Sequence, residues 1–309
     1  MDLRPLRIGT RGSPMALYQA HLVRDRLAVA HPELAASGMI EIIVIRTTGD
    51  RVQNRLLAEI GGKGLFTKEI EQALIGRRID IAVHSLKDME TVLPPGLGII
   101  CVLPRDDPRD ALVTRGDRAL DALPAGSRIG TASLRRSAQL LRRRPDLVAA
   151  PIRGNVDTRL AKLEAGEVDG LLLAFCGLQR LGRADVASEI LSVEAMLPAV
   201  GQGALAIEGR DDDGDIRNLL APLHDAASAA CVSAERAMLA ALDGSCRTPI
   251  AGLAEIRGGQ IELRALLLTP DGGAERRADG TAAVADAVAL GRTLGERLRR
   301  EAGPEFGLE

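Results

Sequence analysis

The spacing of apolar residues changes period repeatedly along the chain. Short apolar runs at 6–11 (LRIGTR), 39–47 (MIEIIVIRT) and 80–86 (DIAVHSL) read as strands. Between them, 13–30 and 66–78 carry apolar residues three and four apart and read as helices. Ser13 suits the N-cap of the first helix and Pro14 its first turn. After 96–105 the order repeats, with a strand end at 127–133, a helix at 134–144, a strand at 147–154, a helix at 155–166 and a strand at 169–175. Such alternation predicts doubly wound α/β architecture. In that architecture ligands bind beyond the carboxyl ends of the strands. Residues 204–210 (ALAIEGR) read as a strand that returns to the first sheet. Residues 226–242 are helical, 250–281 alternate as strands with turns at Gly258-Gly259 and Asp271-Gly272, and 282–301 form a last helix. This last region predicts a small α+β domain.

One echo links the two α/β stretches. Arg7-Ile8-Gly9-Thr10 recurs as Arg128-Ile129-Gly130-Thr131, and each copy runs into a Ser-capped helix, at Ser13 and Ser133. Two similar domains follow, each offering a helix N-terminus to an anion, and facing each other across a ligand cleft.

Composition excludes more than it proposes. The net charge of −2 gives no general case for nucleic acid. Aromatics at 1% leave no stacking platforms for single strands. No apolar run is long enough to span a membrane, and the N-terminal segment does not read as a secretory signal, so a cytoplasmic location is expected.

Of the four cysteines, Cys101, Cys176 and Cys231 lie in apolar or helical patterns and read as core. No two form a C-x-x-C pair, so no metal is expected. Cys246 stands apart in LDGSCRTPIAG (242–252), among turn formers and beside Arg247, which favours its reactive thiolate.

Charge is locally uneven. Residues 128–162 hold eight arginines and Lys162, opposed by Asp146 and Asp157. Arg142–Arg144 read as a solvated helix end, where cations suit the helix dipole. Arg135 and Arg136 fall in the first turn of the same helix, where the dipole disfavours them. Either an anionic ligand or a salt bridge accounts for that placement. Lys87 and Asp88 end a predicted strand, with a proton-transfer role and a structural ion pair as the two readings. His84 reads as structural. GGKGLFTKE (61–69) fails as a phosphate loop because Leu57 and Gly64 stand where Gly and Ser or Thr are needed. GQGALA (201–206) leads into a strand, so a dinucleotide site does not fit.

Nine motifs in order carry a resemblance: RIGTRGSPMAL, GGKGLFTKE, DIAVHSLKD, DDPRDAL, IGTASLRR, IRGNVDTRL, LPAVGQGALAIE, ERAML and DGSCRTPI. Together they resemble the porphobilinogen deaminase (hydroxymethylbilane synthase) family across nearly the whole chain. The resemblance implies a transferase that joins four porphobilinogen units head to tail with loss of ammonia, then hydrolyses the product to hydroxymethylbilane, in porphyrin and haem biosynthesis. It implies a dipyrromethane cofactor held by a thioether to Cys246, and Asp88 as the catalytic residue. Lys87, Asp88, Thr131, Ser133, Arg135, Arg136, Ser13, Lys63 and Gln202 match cofactor contacts. Arg11, Arg153, Arg159, Arg180 and Phe66 match contacts to porphobilinogen and the growing oligopyrrole chain. The sequence departs from many relatives at Glu59 and at Met89-Glu90. The implied fold has two doubly wound, periplasmic-binding-protein-like domains facing a cleft, plus the small α+β domain. Its expected boundaries are 1–103 with 200–221, 104–199, and 222–309. A monomer that binds neither nucleic acid nor membrane is implied. Rival readings are a cytoplasmic anion-binding module of the solute-binding type and a hydrolase using Cys246. The first needs no loop cysteine or third domain, and no His lies near Cys246 in sequence for the second.

Overall fold

The computed structural model describes residues 5–51, 66–243 and 248–308. It divides into two compact units, one of Met1–Arg105 with Ala204–Ala229 and one of Asp106–Gly203 with Ala230–Glu309.

The first unit holds a five-stranded sheet of β1 (Leu6–Thr10), β2 (Ile40–Val44), β3 (Ile81–Ser85), β4 (Leu97–Val102) and β10 (Leu205–Arg210), strands being numbered along the chain. Its order is β2-β1-β3-β10-β4. β1 runs parallel to β2 and β3, and β10 antiparallel to β3 and β4. Alternate residues of β3 enter different cores, as a period of two requires. Ile81 and Val83 join Val23, Leu27 and Ile207 on one face, and Ala82 joins Ile70, Leu74 and Ile79 on the other.

The second unit repeats this sheet strand for strand. β5 (Asp110–Thr114), β6 (Arg128–Gly130), β7 (Val148–Ala150), β8 (Gly170–Ala174) and β9 (Glu189–Ile190) take the order β7-β6-β8-β5-β9. β6 is parallel to β7 and β8, and β5 antiparallel to β8 and β9. The Arg-Ile-Gly-Thr echo therefore marks the matching strands β1 and β6, each second from the edge of its sheet. Gly130 has a packing reason: a Cβ there would lie 2.9 Å from Leu171 Cδ2 and 3.1 Å from Ile152 Cγ2.

A third sheet of β11 (Ile250–Arg257), β12 (Gln260–Leu268) and β13 (Glu275–Ala283) is antiparallel throughout and belongs to the second unit. One face packs on the helices Ala226–Ala241 and Ala287–Glu301 through Met238, Leu263, Leu267, Leu294 and Leu298. The other face, with Leu253, Leu266 and Leu268, packs on Ala138 and Leu197. At the Asp271-Gly272 turn Gly272 has φ +73, and a Cβ there would sit 2.4 Å from Ala138 O. Only glycine lets this turn close on the helix Leu134–Arg143.

Some elements differ from expectation. The last helix begins at Ala287, not 282, because β13 continues to Ala283, with Ala282 in register with Ile261. The strand expected at 147–154 ends at Ala150, before Pro151, which has no N–H for a ladder. β5, β9 and the helix Phe175–Arg180 went unread in the sequence.

Candidate functional site

In the first unit the site residues gather at strand ends. β3 passes into a 3₁₀ turn, Leu86–Asp88. Leu86 is buried and its N–H donates to Ala204 O at 3.0 Å, while Met89 N–H donates to Leu86 O at 3.0 Å. These bonds fix the turn and leave Asp88 exposed. Among the described residues Asp88 has no ion-pair or hydrogen-bond partner, so the structural ion pair with Lys87 is not formed. Before the turn, Ser85 Oγ accepts from Gln19 Nε2 at 2.7 Å. At the end of β1 the Arg11 guanidinium lies 4.0 Å from the centroid of the Phe66 ring, a cation–π contact. Ser13 Oγ caps the next helix, accepting from Ala16 N–H at 3.3 Å.

Behind β3, His84 Nε2 meets Glu208 Oε2 at 3.0 Å, both residues buried, so His84 is structural as expected. Nearby Glu71 is also buried, and burial pushes its carboxyl above the usual range, with Glu208 and Glu90 adding to the rise.

In the second unit the arginine pair is internal. Arg135, Arg136 and Asp110 are buried. Arg135 Nη1 donates to Asp110 Oδ2 at 2.7 Å. Arg136 Nε and Nη2 donate to Asp110 Oδ1 at 3.0 and 2.7 Å. Gln202 Nε2 donates to the same oxygen at 2.9 Å and to Pro108 O at 2.6 Å. The salt-bridge reading of the pair is therefore realised, with a partner the sequence did not suggest. Ser133 Oγ caps this helix at Arg136 N–H, 3.4 Å, and Thr131 Oγ1 accepts from Ser133 N–H at 3.1 Å.

Arg180 is buried too, its Nε on Asp106 Oδ2 at 2.9 Å and its Nη2 on Gly203 O at 2.7 Å. Arg159 is half-buried, with Nε on Gly154 O at 2.9 Å. Arg153 sits on the same segment and is likewise half-buried. The expected solvated end at Arg142–Arg144 holds for Arg142 and Arg143, which are both exposed, and is corrected at Arg144. Arg142 pairs with Glu275 of the third sheet at 2.7 Å. Arg144 holds Asp146 and the carbonyls of Leu120 and Leu123. Arg143 pairs at the surface with Asp121.

The electrostatics favour anions. Burial opposes ionisation of Asp110, but Arg135 and Arg136 hold its carboxyl well below the usual range. One carboxylate still faces two guanidinium groups. Arg135 Nε is buried with no hydrogen-bond partner. Arg159 is pushed down to about 10 by burial and then by its neighbours Arg136 and Arg153. Cations crowded beyond their internal partners fit a ligand rich in carboxylates.

Lys63, Glu59 and Cys246 lie outside the described residues. Cys101, Cys176 and Cys231 are buried and free of disulfides. Burial pushes the Cys101 thiol up to about 12, which makes it inert. No described helix is long and apolar enough to cross a membrane.

Residues 6–218 match the model of the porphobilinogen deaminase dipyrromethane cofactor binding domain, and 229–300 match the porphobilinogen deaminase C-terminal domain. The chain belongs to the porphobilinogen deaminase family. A porphobilinogen deaminase of Paracoccus denitrificans is 53% identical over 98% of this chain and 96% of its own. One of Nitrobacter hamburgensis is 52% identical over 97% and 94%. The activity is that of a hydroxymethylbilane synthase, a transferase of tetrapyrrole biosynthesis that condenses porphobilinogen on a dipyrromethane cofactor.

Sequence reasoning missed Asp110, Asp106 and Glu208, the partners of residues it did name. The signal for the first two was DDPRDAL (106–112), one of the nine motifs.

Proposed function

We propose that Cys246 carries the dipyrromethane cofactor through a thioether and that Asp88 is the catalytic carboxylate. When bound, the cofactor supplies the free pyrrole carbon on which the chain grows. The observation that carries the reading of Asp88 is its exposed carboxylate on a strand-end turn, without a protein partner among the described residues. An unpaired carboxylate there can accept pyrrole N–H groups, stabilise positive charge as ammonia departs, and move a proton.

Arg135, Arg136, Thr131, Ser133, Gln202, Lys87, Ser13 and Lys63 hold the cofactor in this reading. Arg11, Arg153, Arg159, Arg180 and Phe66 hold the porphobilinogen and oligopyrrole side chains. The excess of guanidinium over carboxylate around Asp110 and the cation crowding at Arg159 support the second-unit part of it. The buried bonds of Arg180 to Asp106 and Gly203 favour a positioning share for that residue. The domain boundaries expected above and a cytoplasmic monomer complete the proposal.

Intact mass tests the attachment. The purified protein should exceed its sequence mass by one dipyrromethane, mapped to the peptide of Cys246. Cys246→Ser should lose both adduct and activity, and Cys101→Ser should keep both. An active enzyme of unmodified mass overturns the assignment.

A further inference from the structure

The motif ERAML (235–239) takes no part in the chemistry above, yet its first residue is among the most buried charges in the molecule. Glu235 is 0% exposed, on the helix Ala226–Ala241. Its Oε2 accepts from Gly201 N–H at 2.7 Å, and its Oε1 from Ala254 N–H at 2.8 Å. Both are short, charge-assisted bonds. Each oxygen thus reaches a different element: the turn before β10, and β11.

The two ends matter for different reasons. The turn carries Gln202, whose side chain bonds Asp110 and lies 3.4 Å from Arg136 Nη2. Its shape is fixed by Gly201 at φ +71 and Gly203 at φ +89, and by Gln202 N–H donating to Ala199 O at 2.9 Å. At the other end, the helix Ala226–Ala241 and β11 are the two elements that precede and follow Cys246 in the chain. A second bond runs beside the first, from Gly252 N–H of β11 to Pro198 O at 3.0 Å. The segment 198–202 is thereby held to β11 and to the helix together.

We propose that Glu235 is a positioning residue that fixes the Gly201-Gln202 turn, and through it the arginine pair, against the two elements flanking Cys246. This rests on Cys246 as the attachment residue. Two N–H donors need two acceptors in fixed places, and a carboxylate supplies both. An amide in its place turns an N–H donor toward one of them and leaves that donor unpaired. Displacement of the turn shifts Gln202 and the guanidinium groups relative to the helix Ala226–Ala241 and β11. A shift of about 1 Å in positioning groups is worth up to about 10²-fold in rate.

The test is a double-mutant cycle on the holoenzyme, Glu235→Gln with Gln202→Ala, with Leu298→Ala, a buried core residue of the helix Ala287–Glu301, as a control that loosens the same core. The readout is kcat/KM for porphobilinogen per cofactor-loaded molecule, loading being counted by intact mass. Glu235→Gln should lose about tenfold or more, the scale of lost positioning. The double variant should be no slower than the slower single one, because both act through one turn. Leu298→Ala should keep kcat/KM while melting lower. Additive losses, wild-type kcat/KM in Glu235→Gln, or an equal loss in Leu298→Ala overturns the proposal. Glu235→Asp, which keeps the charge and shortens the reach, replaces the amide if that variant does not accumulate. If neither accumulates while Leu298→Ala does, Glu235 is a folding residue and the proposal is wrong. Peptide mass on the same samples reports the attachment residue independently, so failure of the Cys246 reading is seen separately.

Discussion

Arg136 places both Nε and Nη2 on one oxygen of Asp110, at 3.0 and 2.7 Å, while Arg135 takes the other oxygen. A single buried carboxylate therefore holds two adjacent guanidinium groups at the start of a helix, where the dipole alone would repel them. Asp110 reaches this spot because β5 returns antiparallel beside β8, with Asp110 opposite Ala174.

Asp110→Asn should be strongly destabilising. It leaves two buried cations without a counter-charge, and breaking such a pair costs about 3–5 kcal/mol. Denaturant unfolding of the holoenzyme checks this, through a lower midpoint at unchanged slope. A midpoint equal to wild type would mean that the pair adds nothing.

The same pair sets an acid limit. The folded-state pKa of Asp110 is depressed, so its contribution is complete above the unfolded value of about 3.9 and fades as pH falls through the folded value. Wild type should lose stability steeply below about pH 4, and Asp110→Asn should lack this part of the slope. Unfolding midpoints measured from pH 6 down to pH 3 decide it, and parallel slopes would refute it.

Asp88→Asn should separate chemistry from folding. The residue is exposed and, among the described residues, unpaired, so the melting temperature should stay near that of wild type. Turnover should fall by roughly 10²-fold or more, the usual scale for acid–base groups. Unchanged steady-state turnover removes Asp88 from the mechanism.

Arg159→Leu should stall elongation without harming the fold. Burial and two neighbouring arginines hold this cation below its ordinary pKa, at about 10, so at neutral pH its charge is a cost to folding. Its loss should leave stability equal or higher while covalent species with added pyrroles accumulate. Arg143→Leu, at a surface pairing with Asp121, is the control. After a brief pulse of porphobilinogen, an intact-mass ladder identical in both variants and wild type would show that Arg159 does not hold the growing chain.

Thiol labelling checks the cysteines. Cys101, held up at about 12 by burial, should not react in the native apoprotein, and neither should buried Cys176 or Cys231. Labelling should fall on Cys246, and native-state labelling of any other cysteine would contradict the burial described here.

Much of the architecture was legible in the chain. Periodicity gave β1, β3, β6, β8 and the helices between them, because side-chain alternation is a local property. The Arg-Ile-Gly-Thr echo correctly announced two like sheets, since the same local packing needs the same small residue at Gly9 and Gly130. ALAIEGR joined the first sheet as expected. β5 went unread because its five residues lie behind a run of charge and proline, DDPRD (106–110), that reads as loop. The start of the last helix was misplaced because alanines suit either element, and cross-strand pairing with Ile261 decided between them.

The alternating plan, the unusual setting of Cys246 and the strand-end position of Asp88 are written in the chain, because all are properties of neighbouring residues. The sequence named Arg135, Arg136 and Gln202 but not what they face. That Asp110 partners all three, that Asp106 holds Arg180, and that Glu235 ties Gly201 to Ala254 emerges in the folded chain alone. Those bonds join residues 19 to 92 positions apart. Their geometry depends on strand order and on which side chains the packed core leaves without water, and no local pattern encodes either.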